Sequence, residues 1–304
     1  MNTLTLKQFR YFEALALAGH FGRAAETCAI SQPALSMQIK DLEETLGTAL
    51  FERGPRQVRL TAFGEALAPR VREILRAVDE LDDLARAAQD QLAGRLRLGV
   101  IPTIAPYLLP ALVSQLMRQF GALDLHVRET LTPKLLLELA EGRLDAAIVA
   151  LPVSEPALTE VALFAEDFVL VRPLADADNP VPTGEMLREM RLLLLEEGHC
   201  FRDQALSFCQ MSPTRPRELL DGSSLTTLVQ MVGAGIGVTL IPDMAVAVET
   251  RSAPVAIARF KAPAPSRKIG LIWRKSSPLA RPLMQIAEVV RTTAETLRAA
   301  TARP

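Results

Sequence analysis

The chain has 304 residues, enough for two or three domains, and its formal net charge of −1 shows no global basic excess. Any affinity for nucleic acid must therefore come from a local surface. No apolar run approaches the roughly 18–20 residues of a membrane span, and three cysteines are unlike the disulfide framework of a secreted protein. We therefore expect a cytoplasmic protein with no membrane segment, in which any disulfide is transient.

Residues 1–62 predict a small DNA-binding module. Short helical segments follow one another, and Ser31 and Pro33 supply a capping hydroxyl and a first-turn proline for the third. Two short strand-like segments, 50–53 and 57–60, then flank a Gly-Pro turn. Helices, a tight turn and a wing in this order predict a winged helix-turn-helix.

Residues 63–93 predict a long linker helix that makes a homodimer. Its apolar residues alternate steps of four and three, as in the seam of a coiled coil. These residues are Leu67, Val71, Ile74, Val78, Leu81, Ala85, Ala88 and Leu92. The alternative is a helix that lies on its own domain, which usually shows a wider apolar stripe.

From Gly94 onward, strand-like and helical segments alternate, a pattern that predicts parallel sheets covered by helices. The predicted strands are 96–101, 125–129, 146–149, 168–171, 191–195 and 268–273, and a further strand follows the Gly233–Gly237 run. The three histidines are scattered and no Cys-x-x-Cys occurs, so we expect no metal site and no cofactor.

The segment from Gly198 to Cys209 is the most informative part of the sequence. It reads as a helix start and places two cysteines 209 − 200 = 9 positions apart. Nine helical steps separate two Cα atoms by roughly 13 Å, whereas a disulfide spans about 4.4–6.8 Å. Joining Cys200 to Cys209 must therefore unwind such a helix, which favours a redox switch over a static staple. The alternative is that both cysteines are small buried apolar residues.

Several motifs together resemble the LysR-type transcriptional regulators. They are Phe21-Gly22-Arg23-Ala24-Ala25, Ser31-Gln32-Pro33-Ala34-Leu35-Ser36, Asp41-Leu42-Glu43, Leu46-Gly47 and Leu50-Phe51-Glu52-Arg53. Within that family, the cysteine segment resembles the OxyR subgroup, the peroxide-sensing regulators. Ile101-Pro102-Thr103 and Pro106-Tyr107-Leu108-Leu109-Pro110 agree with the same subgroup.

The resemblance implies a fold and partners. The effector module would be α/β, with two Rossmann-like subdomains similar to periplasmic binding proteins. The first comprises 94–165 and 266–304, and the second, 166–265, carries the cysteines. Regulators of this type act as tetramers that bind double-stranded DNA at dyad-symmetric sites and contact RNA polymerase.

In a helix-turn-helix, the first residues of the second helix meet base edges in the major groove, and a wing contacts the backbone or minor groove. The candidate DNA-binding residues are Gln32, Pro33, Ser36, Met37, Gln38, Lys40, Arg53 and Arg56. Met37 departs from the polar or basic residue common in related proteins.

The resemblance also implies roles at the sensing site. Cys200 would react with hydrogen peroxide as a thiolate near a helix N-terminus with Arg202 close by, and Cys209 would resolve the sulfenic acid into a disulfide. Thr103 and Thr132 match threonines that bind peroxide or the attacking water. The residues matched around the thiol are His199, Asp203 and Arg267.

These observations predict a peroxide-sensing transcriptional regulator with hydrogen peroxide as its signal. A second reading is a LysR-type regulator that binds a small metabolite in the cleft between subdomains, with incidental cysteines. A third is a thiol peroxidase, an enzyme. The DNA-binding module argues against the third reading.

Overall fold

The computed structural model describes residues 4–54, 57–87, 93–209 and 221–301. Its internal contacts divide the chain into two units, residues 1–85 and 86–304. None of the described helices is long and apolar enough to cross a membrane.

The first unit is a winged helix-turn-helix. Thr5 caps its first helix through a capping box, Ser31 caps the third, and both helices end at a left-handed glycine, Gly19 or Gly47. The elements are α1 (Leu6–Ala18), α2 (Phe21–Thr27), α3 (Gln32–Leu46), the antiparallel wing strands β1 (Phe51–Arg53) and β2 (Val58–Leu60), and α4 (Ala62–Ala87).

The first half of α4 belongs to the core of its own unit, which corrects part of the predicted seam. Val71 is fully buried in that core and Leu75 is buried as well, in the same cluster as Phe12 and Leu35. A continuous seam fails here because residues near the start of the helix must close the small core of the winged module. Farther along, Ile74, Leu81 and Leu84 are exposed. The last two predicted seam positions, 88 and 92, lie outside the described residues.

The described strands of the second unit form one nine-stranded sheet, in the order β4-β3-β5-β11-β6-β9-β7-β8 with β10 paired to β6. Its strands are β3 (Gly94–Val100), β4 (Leu123–Glu129), β5 (Ala146–Leu151), β6 (Leu158–Pro173), β7 (Leu192–Leu195), β8 (Asp221–Gly222), β9 (Val238–Pro242), β10 (Val255–Arg259) and β11 (Ser266–Arg274). Its helices are α5 (Ala105–Gln119), α6 (Thr132–Ala140), α7 (Gly184–Leu187), α8 (Cys200–Phe208), α9 (Leu225–Gly233), α10 (Val246–Glu249) and α11 (Ala280–Thr301).

Two hydrophobic cores lie along this sheet. The first is built on β3, β5 and β11 with α5 and α11, and the second on β6, β7 and β9 with α8 and α9. Phe164 of β6 packs against the first core and Phe168 lies in the second, so a single strand passes from one subdomain to the other. A buried hydrogen bond from Tyr107 of α5 to Glu249 of α10, 2.7 Å long, joins the two sides.

The prediction of parallel sheets is wrong in part, since the sheet is mixed. β3 pairs in parallel with β4 and β5, and β7 with β8 and β9, as the alternation predicts. The long strands β6 and β11 instead run antiparallel to each other. β11 is also antiparallel to β5, and β6 is antiparallel to β9. The sequence-based prediction begins β6 ten residues late, at Phe168, and does not include β8 or β10. The remaining architecture of two α/β subdomains is as predicted.

Candidate functional site

The two cysteines of the 198–209 segment lie at opposite ends of one helix. Cys200 is the first residue of α8, and Cys209 caps its C-terminus, where its N–H donates to Ala205 O. Both thiols are free. An intact helix of this length separates their Cα atoms by about 13 Å, beyond the reach of a disulfide. The prediction that the backbone holds the two cysteines apart is confirmed.

The Cys200 end of α8 opens on a cavity of ≈ 510 Å³. Gly198 turns the chain into the helix with a φ of +92°, and a Cβ there would also lie 3.0 Å from Leu131 Cδ1, so this turn requires glycine. The polar residues that line the cavity are Cys200, Asp203, Gln204, Ser266, Arg267 and Lys268. The fold therefore brings together Cys200, Asp203 and Arg267 of the predicted site.

Arg267 is buried beside this cavity and is held on several sides. Its Nη1 donates to Thr103 Oγ1 at 2.7 Å and its Nη2 to Thr103 O at 3.0 Å. Its Nε donates to Glu166 Oε2 at 2.9 Å, and the guanidinium lies over the Phe201 ring at 5.3 Å. Thr103 is thus joined to the cavity through Arg267.

Two polar atoms at this end of α8 are buried and have no hydrogen-bond partner among the described residues. They are Gln204 Oε1 and Thr132 Oγ1. Gln204 lines the cavity, and Thr132 follows Leu131, the residue against Gly198. Leaving such a group unpaired costs about 1–3 kcal/mol. Gln204 Oε1 is therefore an acceptor that a small molecule bound in the cavity could satisfy by donating a hydrogen bond.

His199 precedes the helix and is buried, but its side chain caps no backbone N–H. Desolvation lowers the pKa of His199, and the nearby Glu196 carboxylate opposes this shift. The imidazole is therefore favoured in its neutral form.

Arg202 does not serve the Cys200 thiol in the way the sequence predicts. Its Nη1 donates to Leu195 O and Asp221 Oδ1, both at 2.7 Å. Two helical positions turn Arg202 roughly 200° away from Cys200, toward the ends of β7 and β8. The cationic side chains that line the cavity are Arg267 and Lys268.

The Cys209 end of α8 is apolar. Cys209 is 0% exposed in the second core, and next to it Phe208 packs edge-on against Phe260, with ring centroids 5.2 Å apart. Burial raises the pKa of the Cys209 thiol to about 11. At neutral pH this thiol is protonated, shielded and unreactive.

The candidate DNA-binding residues of α3 lie along its first turns. Gln32, Pro33, Met37 and Lys40 are exposed, whereas Ser36 and Gln38 are half-buried. The Lys40 ammonium lies 3.4 Å from a Glu44 carboxylate oxygen. In the wing, Arg53 belongs to β1, although its side chain lies outside the description, and Arg56 lies outside the described residues.

Two family models match the chain. Residues 6–65 match a bacterial regulatory helix-turn-helix protein of the lysR family, and residues 89–295 match the LysR substrate binding domain. The chain belongs to the LysR family of transcriptional regulators. The helix-turn-helix of this LysR family member marks it as a DNA-binding protein.

Relatives of this LysR family chain place it in the OxyR subgroup. It is 44% identical over 292 residues to a probable hydrogen peroxide-inducible genes activator of Streptomyces viridosporus, covering 94% of this chain and 93% of that protein. It is 39% identical to the DNA-binding transcriptional dual regulator OxyR of Escherichia coli K12, covering 95% of each. The predicted resemblance is confirmed.

Solved structures agree. Full-length OxyR of Pseudomonas aeruginosa, with a cysteine changed to aspartate, has a TM-score of 0.75 and 39% identity, covering 95% of each chain. A hydrogen peroxide-bound cysteine-to-serine mutant of Corynebacterium glutamicum OxyR has a TM-score of 0.67 and 37% identity, covering 98% of this chain and 95% of that one.

Sequence reasoning missed two polar residues at the site, Glu166 and Gln204. Gln204 stands one turn beyond Cys200, and that i, i+4 spacing could have placed it on the cavity side of the helix. Glu166 lies 101 residues before Arg267, its ion-pair partner, and no local pattern marks it.

Proposed function

We propose that this chain is a peroxide-sensing transcriptional regulator in which Cys200 is oxidised and then forms a disulfide with Cys209. The carrying observation is the arrangement of α8: one free cysteine faces an open cavity with Arg267, and the other is buried at the far end of the same helix. A resting protein built in this way exposes one thiol to an oxidant and withholds the other.

The first chemical step consumes one peroxide. The Cys200 thiolate attacks one oxygen of hydrogen peroxide, the O–O bond breaks, and the leaving hydroxide takes a proton to become water. Cys200 is then a sulfenic acid. Arg267 and Thr103 are hydrogen-bonded to each other beside the cavity, and Thr132 Oγ1 and Gln204 Oε1 offer unpaired oxygens. Together with His199 and Asp203, they supply polar groups suited to holding the peroxide.

The second step forms the disulfide. The Cys209 sulfur attacks the sulfenic sulfur of Cys200, the S–O bond breaks, and a second water leaves after taking the Cys209 proton. Because α8 holds the two residues about 13 Å apart, this step requires the helix to unwind and Cys209 to leave the second core. Oxidation therefore becomes a change of shape in the effector module.

We infer that this change alters how the winged modules meet DNA. A symmetric dimer joined through the exposed apolar residues of α4 would bind a dyad-related site, with α3 in the major groove. Assembly into a tetramer and contact with RNA polymerase complete the proposal. The protein would act in the cytoplasm, where cellular thiols can reduce the disulfide, without a cofactor and not as an enzyme.

Footprinting of promoter DNA under reducing and peroxide-treated conditions tests this proposal. We expect the footprint of the wild-type protein to change with peroxide and that of Cys200→Ser to stay in its reduced form. Cys28→Ser is the matched control, because Cys28 lies in the winged module, and it should respond like wild type. A full peroxide response in Cys200→Ser would overturn the proposal.

The size of the cavity favours one other function, a regulator of the same family that binds a small metabolite. Its volume of ≈ 510 Å³ is within the range of ligand pockets. Such a regulator would keep its full response to its inducer in Cys200→Ser, so the same variant separates the two functions.

A further inference from the structure

The setting of Arg267 depends on a second residue, Glu166. Arg267 and Glu166 are 3% and 4% exposed, so this ion pair is shielded from water. Glu166 Oε2 lies 2.9 Å from Nε and 2.7 Å from Nη2 of the guanidinium. A planar guanidinium held along one edge by a carboxylate has little freedom to rotate.

The other carboxylate oxygen of Glu166 is also engaged. Glu166 Oε1 accepts a hydrogen bond of 3.1 Å from the Met244 N–H, and Met244 packs against both cores of the module. The Met244 backbone thus holds the Glu166 carboxylate independently of Arg267. Glu166 therefore sets the position of Arg267, because its own position is set by an element outside the cavity.

One N–H donor of the Arg267 guanidinium is not used by its contacts to Glu166 and Thr103. A guanidinium has five N–H groups. Contacts to Glu166 and Thr103 use Nε, both sides of Nη2 and one side of Nη1. The second hydrogen of Nη1 has no acceptor among the described residues, on a side chain that lines the Cys200 cavity. That hydrogen is available to an oxygen atom bound there.

Without Glu166, Arg267 would be a buried cation that lacks its counter-charge, which is strongly unfavourable. The carboxylate that lines the Cys200 cavity together with Arg267 belongs to Asp203. A freed guanidinium would turn toward Asp203 and away from Thr103, and the open donor would no longer point at the bound oxidant.

We propose that Glu166 is the positioning residue of the peroxide reaction: it holds the Arg267 guanidinium against Thr103, so that the free Nη1 hydrogen meets an oxygen of the peroxide bound beside Cys200. This inference rests on the proposed function and names a group that acts through Arg267 without touching the reacting atoms. Glu166 would raise the rate at which peroxide oxidises Cys200, without affecting the intrinsic reactivity of the Cys200 sulfur.

The test compares two reactions of Cys200 in the full-length Glu166→Gln protein. One is oxidation by hydrogen peroxide, followed as loss of free thiol, which needs the oriented Arg267. The other is alkylation by iodoacetamide, which needs a reactive sulfur but no peroxide-binding donor. We expect the peroxide rate constant to fall by about tenfold or more, as misplaced catalytic groups do, and the alkylation rate to change less than about threefold.

Glu138→Gln is the matched control. Glu138 is also a buried glutamate, 5% exposed, and its carboxylate pairs with Arg128 at 3.4 Å and Arg143 at 3.7 Å away from the cavity lining. Both rates should stay close to wild type in this variant. Glu166→Asp keeps the charge but shortens the side chain, so it should recover part of the peroxide rate, and it serves as the test if Glu166→Gln does not fold.

An unchanged peroxide rate in Glu166→Gln or, where that variant does not fold, in Glu166→Asp would overturn the inference. An equal fall of both rates would also overturn it, since that is the result of a merely structural role. Failure of the wild-type Cys200 to react with peroxide would instead refute the proposed function, so the two failures are distinguishable.

Discussion

The two ends of α8 carry the same chemical group in opposite settings. Cys200 is half-buried on a polar cavity lined by Asp203 and Arg267, whereas Cys209 is fully enclosed by apolar side chains. One thiol can meet a small oxidant from solvent, and the other is kept protonated by its surroundings. In the proposed mechanism, environment rather than residue type therefore assigns the first reaction to Cys200 and the second to Cys209.

The comparison also shows where the free energy of the switch lies. The Cys200 end can react with little rearrangement, because its cavity is already open. The Cys209 end must give up the buried packing of its thiol and of Phe208 before a disulfide can form. The covalent bond must offset that loss, so the oxidised form should be looser than the reduced form around this helix.

Exchanging each cysteine for serine in turn gives the largest expected effect. Cys200→Ser should abolish the peroxide reaction, since the nucleophile is gone. Cys209→Ser should still form the sulfenic acid at Cys200 but no disulfide. Mass spectrometry with a sulfenic acid trap measures both products. Two results would contradict the assignment of the two ends. One is the absence of a sulfenic acid in Cys209→Ser, and the other is an undiminished peroxide reaction in Cys200→Ser.

Alkaline pH should weaken the Cys209 end selectively. Burial raises the pKa of the folded thiol to about 11 from the ordinary 9.0, so the folded protein favours the protonated form. The stability from this shift is present below pH 9 and is lost as pH rises toward 11, by up to about 3 kcal/mol. Urea unfolding on both sides of that window measures it. Cys209→Ala should show a flatter dependence, and equal slopes in both proteins would contradict the burial argument.

Gly184→Ala tests the C-terminal end of α8 by a steric route. A Cβ at Gly184 would lie 2.6 Å from Phe208 O, so this end must shift, at a cost of about 1–3 kcal/mol in the reduced form. The proposed unwinding of α8 on oxidation would release this contact, so we expect the reduction potential to become more negative by roughly 20–60 mV. Gly121→Ala, where a Cβ meets no heavy atom within 4 Å, should leave the potential unchanged.

A smaller effect is expected at the Cys200 end under mild acid. The pKa of His199 is lowered from 6.5 by desolvation, so the folded protein favours the neutral imidazole. That contribution to stability is present above pH 6.5 and is lost as pH falls through the lowered value. Thermal unfolding of wild type and His199→Gln across this range should show the steeper fall in wild type. The same pH dependence of unfolding in both proteins would contradict this role of His199.

The sequence predicts those parts of the site that are local. The Gly198 turn, the helix of Cys200 to Phe208 and the separation of its cysteines all depend on neighbouring residues, and all are found in the structure. The threonines and Arg267 came only from resemblance to a family, because residues 103 and 267 meet through folding.

What could not be read from the sequence is non-local. The Glu166 ion pair joins two strands that lie next to each other only in the folded sheet. The first half of β6 pairs with β11 over residues that show no clean alternation. Val71 fits a dimer seam by spacing, yet its burial depends on a core formed by α1 and α3. In each case the deciding partner is distant in the chain.

Hydrogen–deuterium exchange of the α8 amides in the reduced and peroxide-oxidised protein measures whether disulfide formation unwinds this helix. We expect slow exchange from Phe201 through Cys209 in the reduced form and a loss of this protection once the disulfide has formed. An oxidised protein that contains the Cys200–Cys209 disulfide and still protects these amides as the reduced protein does would contradict it.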